Sequence, residues 1–226
     1  MTAADVVDEL AAQRSDEALA AVRKRLAPDE EALGVRMKLL FDTAQTHADL
    51  PLAEVHALLD HPAYEPRMAA FCILDFRARR RLGDDERRDL YDVYLGRHDR
   101  ITTWDMVDRA APRVVGGHLT GRDLAPLHEL AGTDDPLRRR TAVTAPLFLV
   151  RYGLDTDLAP SLAVAALVCS DPDPIVHKAV GILLKHAGER DRSALAGFLD
   201  EHAASMPPAA VRLAVEKLPP GDRQRW

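Results

Sequence analysis

Apolar residues recur along this chain at spacings of three and four, the period of a helix that buries one face. Val6-Val7-Leu10, Leu19-Val22-Leu26 and Val35-Leu39-Leu40 open the pattern, and Val211-Val215-Leu218 continues it near the end. The alternation at a period of two that a half-buried strand requires gives no credible strand. Helical runs stop at short segments rich in Asp, Pro and Gly: Ala27-Pro28-Asp29, Asp60-His61-Pro62, Asp134-Asp135-Pro136 and Asp171-Pro172-Asp173-Pro174. Pro there ends one helix or opens the next, since its missing N–H is tolerated in a first turn and not beyond it. The pattern predicts an all-α fold of roughly a dozen or more helices, each of about 10 to 18 residues.

A weak internal repeat lies over the helices. Pro66-Arg-Met-Ala-Ala-Phe, Arg139-Arg-Thr-Ala-Val-Thr and His177-Lys-Ala-Val-Gly-Ile each place a basic residue before small and apolar ones near a helix start. In that alignment Arg67, Arg140 and Lys178 correspond, 73 and 38 residues apart, and Arg36 falls 31 before Arg67. A period in the high thirties built from helix pairs is the signature of a HEAT-like α-solenoid with a concave groove. One basic residue at the same point of successive inner helices would set a row of positive charge along that groove. The plainer reading is ordinary exposed arginines.

Length and composition narrow the classes. With 226 residues, 47% hydrophobic and 29% charged, the chain is globular, and it suits one HEAT-like repeat domain over 1–226. The acidic first 30 residues are expected as a capping helix pair. The longest apolar stretch, Leu158 to Cys169, falls short of the roughly 20 residues of a membrane span. The first ten residues are acidic and amphipathic, so no signal peptide is expected. Cys72 and Cys169 sit inside apolar helical patterns and read as buried free thiols of a cytoplasmic protein. A net charge of −6 argues against a generic basic nucleic-acid binder. The positives are clustered, however, at Arg77, Arg79, Arg80 and Arg81 and again at Arg138, Arg139 and Arg140. The first run reads as a solvated helix end that complements the dipole.

Most catalytic constellations are missing. There is no Gly-rich phosphate loop, no Gly-x-Ser-x-Gly elbow and no His-Glu-x-x-His helix. The nine histidines are scattered, so neither a metal nor another cofactor is expected. One segment stands apart, Asp99-Arg-Ile-Thr-Thr-Trp-Asp-Met-Val-Asp-Arg-Ala-Ala-Pro. Thr102 or Thr103 can cap a helix that starts at Trp104, which puts Trp104 and Asp108 on one face. The plainer reading makes Trp104 a core anchor, with Asp105 and Asp108 as N-terminal helix charges. The sharper one makes Trp104 an aromatic wall beside a carboxylate, offered to a cationic or electron-poor guest.

That segment, continued through Arg-Val-Val-Gly-Gly-His-Leu119, resembles the AlkD-type DNA alkylation repair family of HEAT-repeat DNA glycosylases. So do Gly34-Val-Arg-Met, Arg67-Met-Ala-Ala, Arg139-Arg-Thr-Ala-Val and Ile175-Val-His-Lys-Ala-Val-Gly, and the tail from Phe198 through Arg212-Leu-Ala-Val-Glu-Lys-Leu. The similarity runs in order from about residue 30 to 220. It implies a monomeric base-excision-repair enzyme that grips duplex DNA and hydrolyses the N-glycosidic bond of purines alkylated at N3 or N7. Such a purine is cationic and already an activated leaving group, so no general acid is needed. Asp108 matches the family's catalytic aspartate and Trp104 an aromatic that packs against the lesion's deoxyribose. Arg139 or Arg140 matches an arginine that holds the backbone near the lesion. Arg36, Arg67, His177, Lys178 and Ile182 are the further candidates for DNA contact.

Two positions depart from the family pattern. Ile182 stands where the family has the Trp of Lys-Ala-Val-Gly-Trp, and Leu137 where an aromatic is common. Ile182 offers no π face, which implies a weaker hold on the sugar cation, on the order of 1 kcal/mol. Two alternatives follow: a DNA-binding relative with little or no catalysis, and a protein-interaction scaffold, which the net charge of −6 favours.

Overall fold

The computed structural model describes residues 1–226, and its regular structure is helical, with no strand. The chain forms two compact units, Met1–Ala110 and Ala111–Trp226.

In the first unit α1 (Ala3–Ala12), α2 (Asp16–Arg23), α3 (Met37–Thr46), α4 (Leu52–Leu59), α5 (Tyr64–Ala78) and α6 (Asp84–Gly96) lead to α7 (Trp104–Ala111). Thr2 opens α1 with a capping box, its hydroxyl accepting from the Asp5 N–H while the Asp5 carboxylate accepts from Thr2. Ser15 caps α2 in the same sense. The centre is α5. Its run Met68-Ala-Ala-Phe-Cys-Ile-Leu74 is apolar without a period, and a helix apolar all round has to be buried on every side. It packs against α1, α3, α4 and α6, and Phe71 meets Tyr94 edge to face at 5.7 Å.

The stretch between α2 and α3 is not helical, yet α5 orders it. The fully buried Glu65 carboxylate accepts from the backbone N–H groups of Leu33, Gly34 and Val35 at 2.8, 2.8 and 3.2 Å. Gly34 has φ +87°, and a Cβ there would lie 2.7 Å from the Cβ of Leu19. Only glycine fits, for conformation and for space.

In the second unit a π-helical turn, Pro112–Gly116, and α8 (Gly117–Leu119) precede α9 (Ala125–Ala131), α10 (Pro136–Thr144), α11 (Pro146–Tyr152) and α12 (Leu158–Leu167). α13 (Pro174–Arg190), α14 (Arg192–His202) and α15 (Pro208–Ala214) complete it. The Asp-Pro pairs act as the sequence predicts. Asp135 and Asp173 accept from the N–H groups of Leu137 and Ile175, with Pro136 and Pro174 as the first helical residues. α13 is the hub and meets α10, α11, α12, α14 and α15. A Cβ on Gly181 would stand 2.7 Å from the Ala210 carbonyl oxygen, and one on Gly116 would collide with that of Ala145. These glycines let helices touch backbone to backbone. No helix is long and apolar enough to cross a membrane.

The structure shifts the register of the repeat. Arg67 and Arg139 are each the fourth residue of their helix, and so is His177. Arg67 Nη1 donates to the carbonyls of Pro62 and His61, five and six residues back, at 2.9 and 3.4 Å. Arg139 Nη1 donates to those of Asp134 and Thr133 at 2.8 and 3.0 Å, again five and six back. Arg67 therefore corresponds to Arg139 and His177, one residue before Arg140 and Lys178. The row is also not a row of free charge. The Arg67 side chain is 9% exposed and ion-paired with Glu30, itself 8% exposed. Arg67 braces the start of α5 from within, and its expected DNA contact is withdrawn.

Candidate active site

Two stripes of α7 carry polar side chains, and they face differently. Met106, Val107 and Ala110 fill the interior, each with no exposure. Trp104 is 45% exposed and Asp108, one turn on, is half-buried. The core-anchor reading of Trp104 is overturned, because smaller side chains of α7 occupy the core and leave the indole outside. Asp105 and Arg109, each one residue later, turn inward.

Asp105 is not a solvated helix charge. Its carboxylate is buried and accepts from the Tyr64 hydroxyl at 2.7 Å and from the Thr103 hydroxyl, with Arg25 Nη1 at 3.4 Å. Arg25 also donates to the Tyr64 oxygen at 3.2 Å and lies over its ring, 5.4 Å from the centroid. Burial first, and the Asp105 carboxylate next, push the Tyr64 phenol well above its ordinary value. Tyr64 is a permanent donor here. The threonines expected to cap α7 thus spend their hydroxyls on carboxylates, Thr103 on Asp105 and Thr102 on Glu30.

Arg109 lies between two rings, 4.4 Å from the centroid of Phe41 and 4.6 Å from that of Phe76. Its Nη2 is 3.1 Å from the buried Asp75 carboxylate, which also pairs with Arg79. Burial pushes the neighbouring Cys72 thiol up to about 12, so it holds its proton at neutral pH. Beyond Arg109 comes Pro112. It has no N–H for the Asp108 carbonyl four residues back, and the helix widens into the π turn, where the Gly117 N–H returns to the Pro112 carbonyl.

The basic candidates divide by environment. Arg36 is exposed and pairs with Glu17 at 2.5 Å, on the rim of a recess of about 250 Å³ that Arg25 also lines. Within the second unit Arg139 keeps 18% of its side chain exposed and donates to Asp171 at 2.6 Å. Arg140 is buried and donates to the Ile175 carbonyl in the first turn of α13. His177 is buried, Lys178 exposed and Ile182, one turn further, half-buried. Leu137 is half-buried as well. At the end of α5 three arginines of the run bind locally: Arg79 pairs with Asp75, Arg80 with Asp49, and Arg77 donates to the Leu50 carbonyl, while Arg81 is exposed. No group of three or more His, Cys, Asp or Glu side chains is placed to hold a metal ion.

Tyr64, Glu65, Asp75 and Arg109 are not singled out by the sequence, and Asp105 is read there only as a helix charge. Polar residues inside apolar helical runs were the available signal, since such residues are buried only with partners.

A family model described as DNA alkylation repair enzyme matches residues 6–218. The chain belongs to this family. One solved structure, a "predicted DNA alkylation repair enzyme" from Enterococcus faecalis, is 16% identical to it, with 91% of this chain and 97% of that one covered at a TM-score of 0.68. At that identity the likeness speaks for the fold. No curated protein matches the chain. Membership in the family carries a role in DNA alkylation repair and an enzymatic one, and DNA as the material acted on.

Proposed function

We propose that this protein is a DNA glycosylase that releases purines alkylated at N3 or N7 from duplex DNA. The observation that carries the reading is the exposed indole of Trp104 one turn before the half-buried Asp108 on α7. In a repair family, an exposed aromatic face one turn from a half-buried carboxylate suits a cation. The alkylated purine is positive in the ground state, and the deoxyribose becomes positive as the C1′–N bond lengthens.

The chemistry needs few groups. The base leaves with the bonding electron pair and is neutral once free, so no proton has to be delivered to it. Asp108 stabilises the oxocarbenium-like sugar and orients a water whose oxygen forms the new bond to C1′; the water's proton passes to the carboxylate or to solvent. Trp104 lends its π face to the same positive charge. The resemblance assigns a backbone arginine to Arg139 or Arg140. Arg139 suits it better, since its guanidinium keeps some exposure while Arg140 is engaged with α13. Arg36 and Lys178 are the exposed basic side chains for further phosphate contacts.

A second reading rests on Ile182. With an aliphatic side chain where the family has an aromatic, the protein would bind duplex DNA with little base release. One experiment separates the two: release of free base from a duplex with a single N7-methylguanine, by wild type and Asp108→Asn. Release by wild type alone supports the glycosylase. Equal release by both removes Asp108 from its role. Duplex binding without release favours the second reading, and no duplex affinity at low salt favours a protein scaffold.

A further inference from the structure

Trp104 and Asp108 form one i,i+4 stripe of α7, and Asp105 and Arg109 form the next, turned from it by about 100°. The second stripe is fastened at both points, by a hydrogen bond at Asp105 and by an ion pair and two ring contacts at Arg109. Asp105 receives the Tyr64 hydroxyl at 2.7 Å and Arg25 at 3.4 Å, and Arg109 is sandwiched between Phe41 and Phe76 with Asp75 at 3.1 Å. Apolar packing by Met106, Val107 and Ala110 would by itself tolerate a few degrees of rotation about the helix axis. A hydrogen-bonded carboxylate and a guanidinium held over two rings, one turn apart, restrict it more tightly.

We infer that Tyr64 and Arg109 are positioning residues, which lock the rotation of α7 and so aim the Trp104 indole and the Asp108 carboxylate outward. Neither touches the reacting atoms. Tyr64 acts through Asp105, and Arg109 holds the turn that carries Asp108. The consequence for base release rests on the proposed glycosylase reading; the consequence for Trp104 does not.

Trp104 and Trp226 are the two tryptophans of the chain. Trp226 hydrogen-bonds to Asp200 near the C-terminus, far along the sequence from α7. In a Trp226→Phe background the intrinsic emission reports Trp104 alone. Tyr64→Phe removes one donor and keeps the ring; Arg109→Lys keeps the charge and removes the planar stack. Acrylamide quenching of native protein, duplex affinity and single-turnover release of N7-methylguanine are measured for each. Both variants are expected to change the quenching constant of Trp104, to slow release about tenfold and to leave duplex affinity within about twofold. Lower stability alone would leave native-state quenching unaltered. Quenching at the parent value in both variants overturns the inference, even where release is slower, because α7 would not have turned. If the parent releases no base, the glycosylase reading fails while the quenching comparison still decides the inference. Should Tyr64→Phe not fold, Arg25→Gln replaces it, since Arg25 is half-exposed and weakens the same Asp105 clamp.

Discussion

The Tyr64 hydroxyl holds the Asp105 carboxylate at 2.7 Å, and the next side chain back along the helix, Trp104, is left outside. An indole in that position contributes little to the core. Trp104→Ala should lower the unfolding free energy by under about 1 kcal/mol, against roughly 3–5 kcal/mol for a buried aromatic. Urea denaturation measures this. On the proposed glycosylase reading, in which Trp104 meets the substrate, base release by the same variant should fall by at least about tenfold.

The opposite substitution addresses Ile182. It lies one turn after the exposed Lys178 on α13 and is itself half-buried, so a larger side chain can extend outward. Ile182→Trp should raise the single-turnover rate several-fold, equivalent to about 1 kcal/mol of aromatic stabilisation of the sugar cation. An unchanged rate would show that this face of α13 is not beside the reacting sugar.

The two ion pairs of the first unit differ in worth because they differ in burial. Arg67 and Glu30 are each under a tenth exposed, whereas Arg36 and Glu17 are 61% and 79% exposed. Glu30→Ala leaves a buried guanidinium uncompensated and should cost about 3–5 kcal/mol. Glu17→Ala should cost less than about 1 kcal/mol. Equal denaturation midpoints for the two variants would contradict the assignment of Arg67 as an internal brace.

His61 gives a pH dependence with a fixed sign. Burial, and then the nearby Arg67 guanidinium, hold its imidazole below the ordinary value of 6.5, and its Nδ1 accepts from the Ala63 N–H at 3.0 Å. The unfolded chain therefore takes up the proton first as pH falls. This contribution to stability is present above 6.5 and is lost as pH drops through the lower folded-state value. Glu9 adds a loss of the same sign at lower pH, since the Thr43 hydroxyl and His47 hold its carboxyl below 4.5. His61→Gln should flatten the upper part of the decline, read from denaturation midpoints across the acid range.

The helices and their starts were legible in the sequence because their causes are local. A spacing of three and four gives the helix, and Asp-Pro gives the start of α10 and of α13. The pairing of Trp104 with Asp108 on one face was legible for the same reason. Which way that face points was not, for it depends on what Asp105 and Arg109 find across the interior, in Tyr64 and in Phe41 and Phe76. The alignment of the basic residues went wrong by one position, because residue type alone does not separate Arg139 from Arg140. Their hydrogen bonds do: one returns to its own preceding turn and the other crosses to α13.

The close approaches at Gly34, Gly116 and Gly181 bear on how kinship is read in such chains. Each lies in a segment that carries the family resemblance, and at each the room available leaves no space for a Cβ. A signature that contains them records the scaffold's internal spacing. A gene that retains all three glycines while losing Trp104 and Asp108 would keep the scaffold's spacing and, on the proposed reading, lose the groups that release the base.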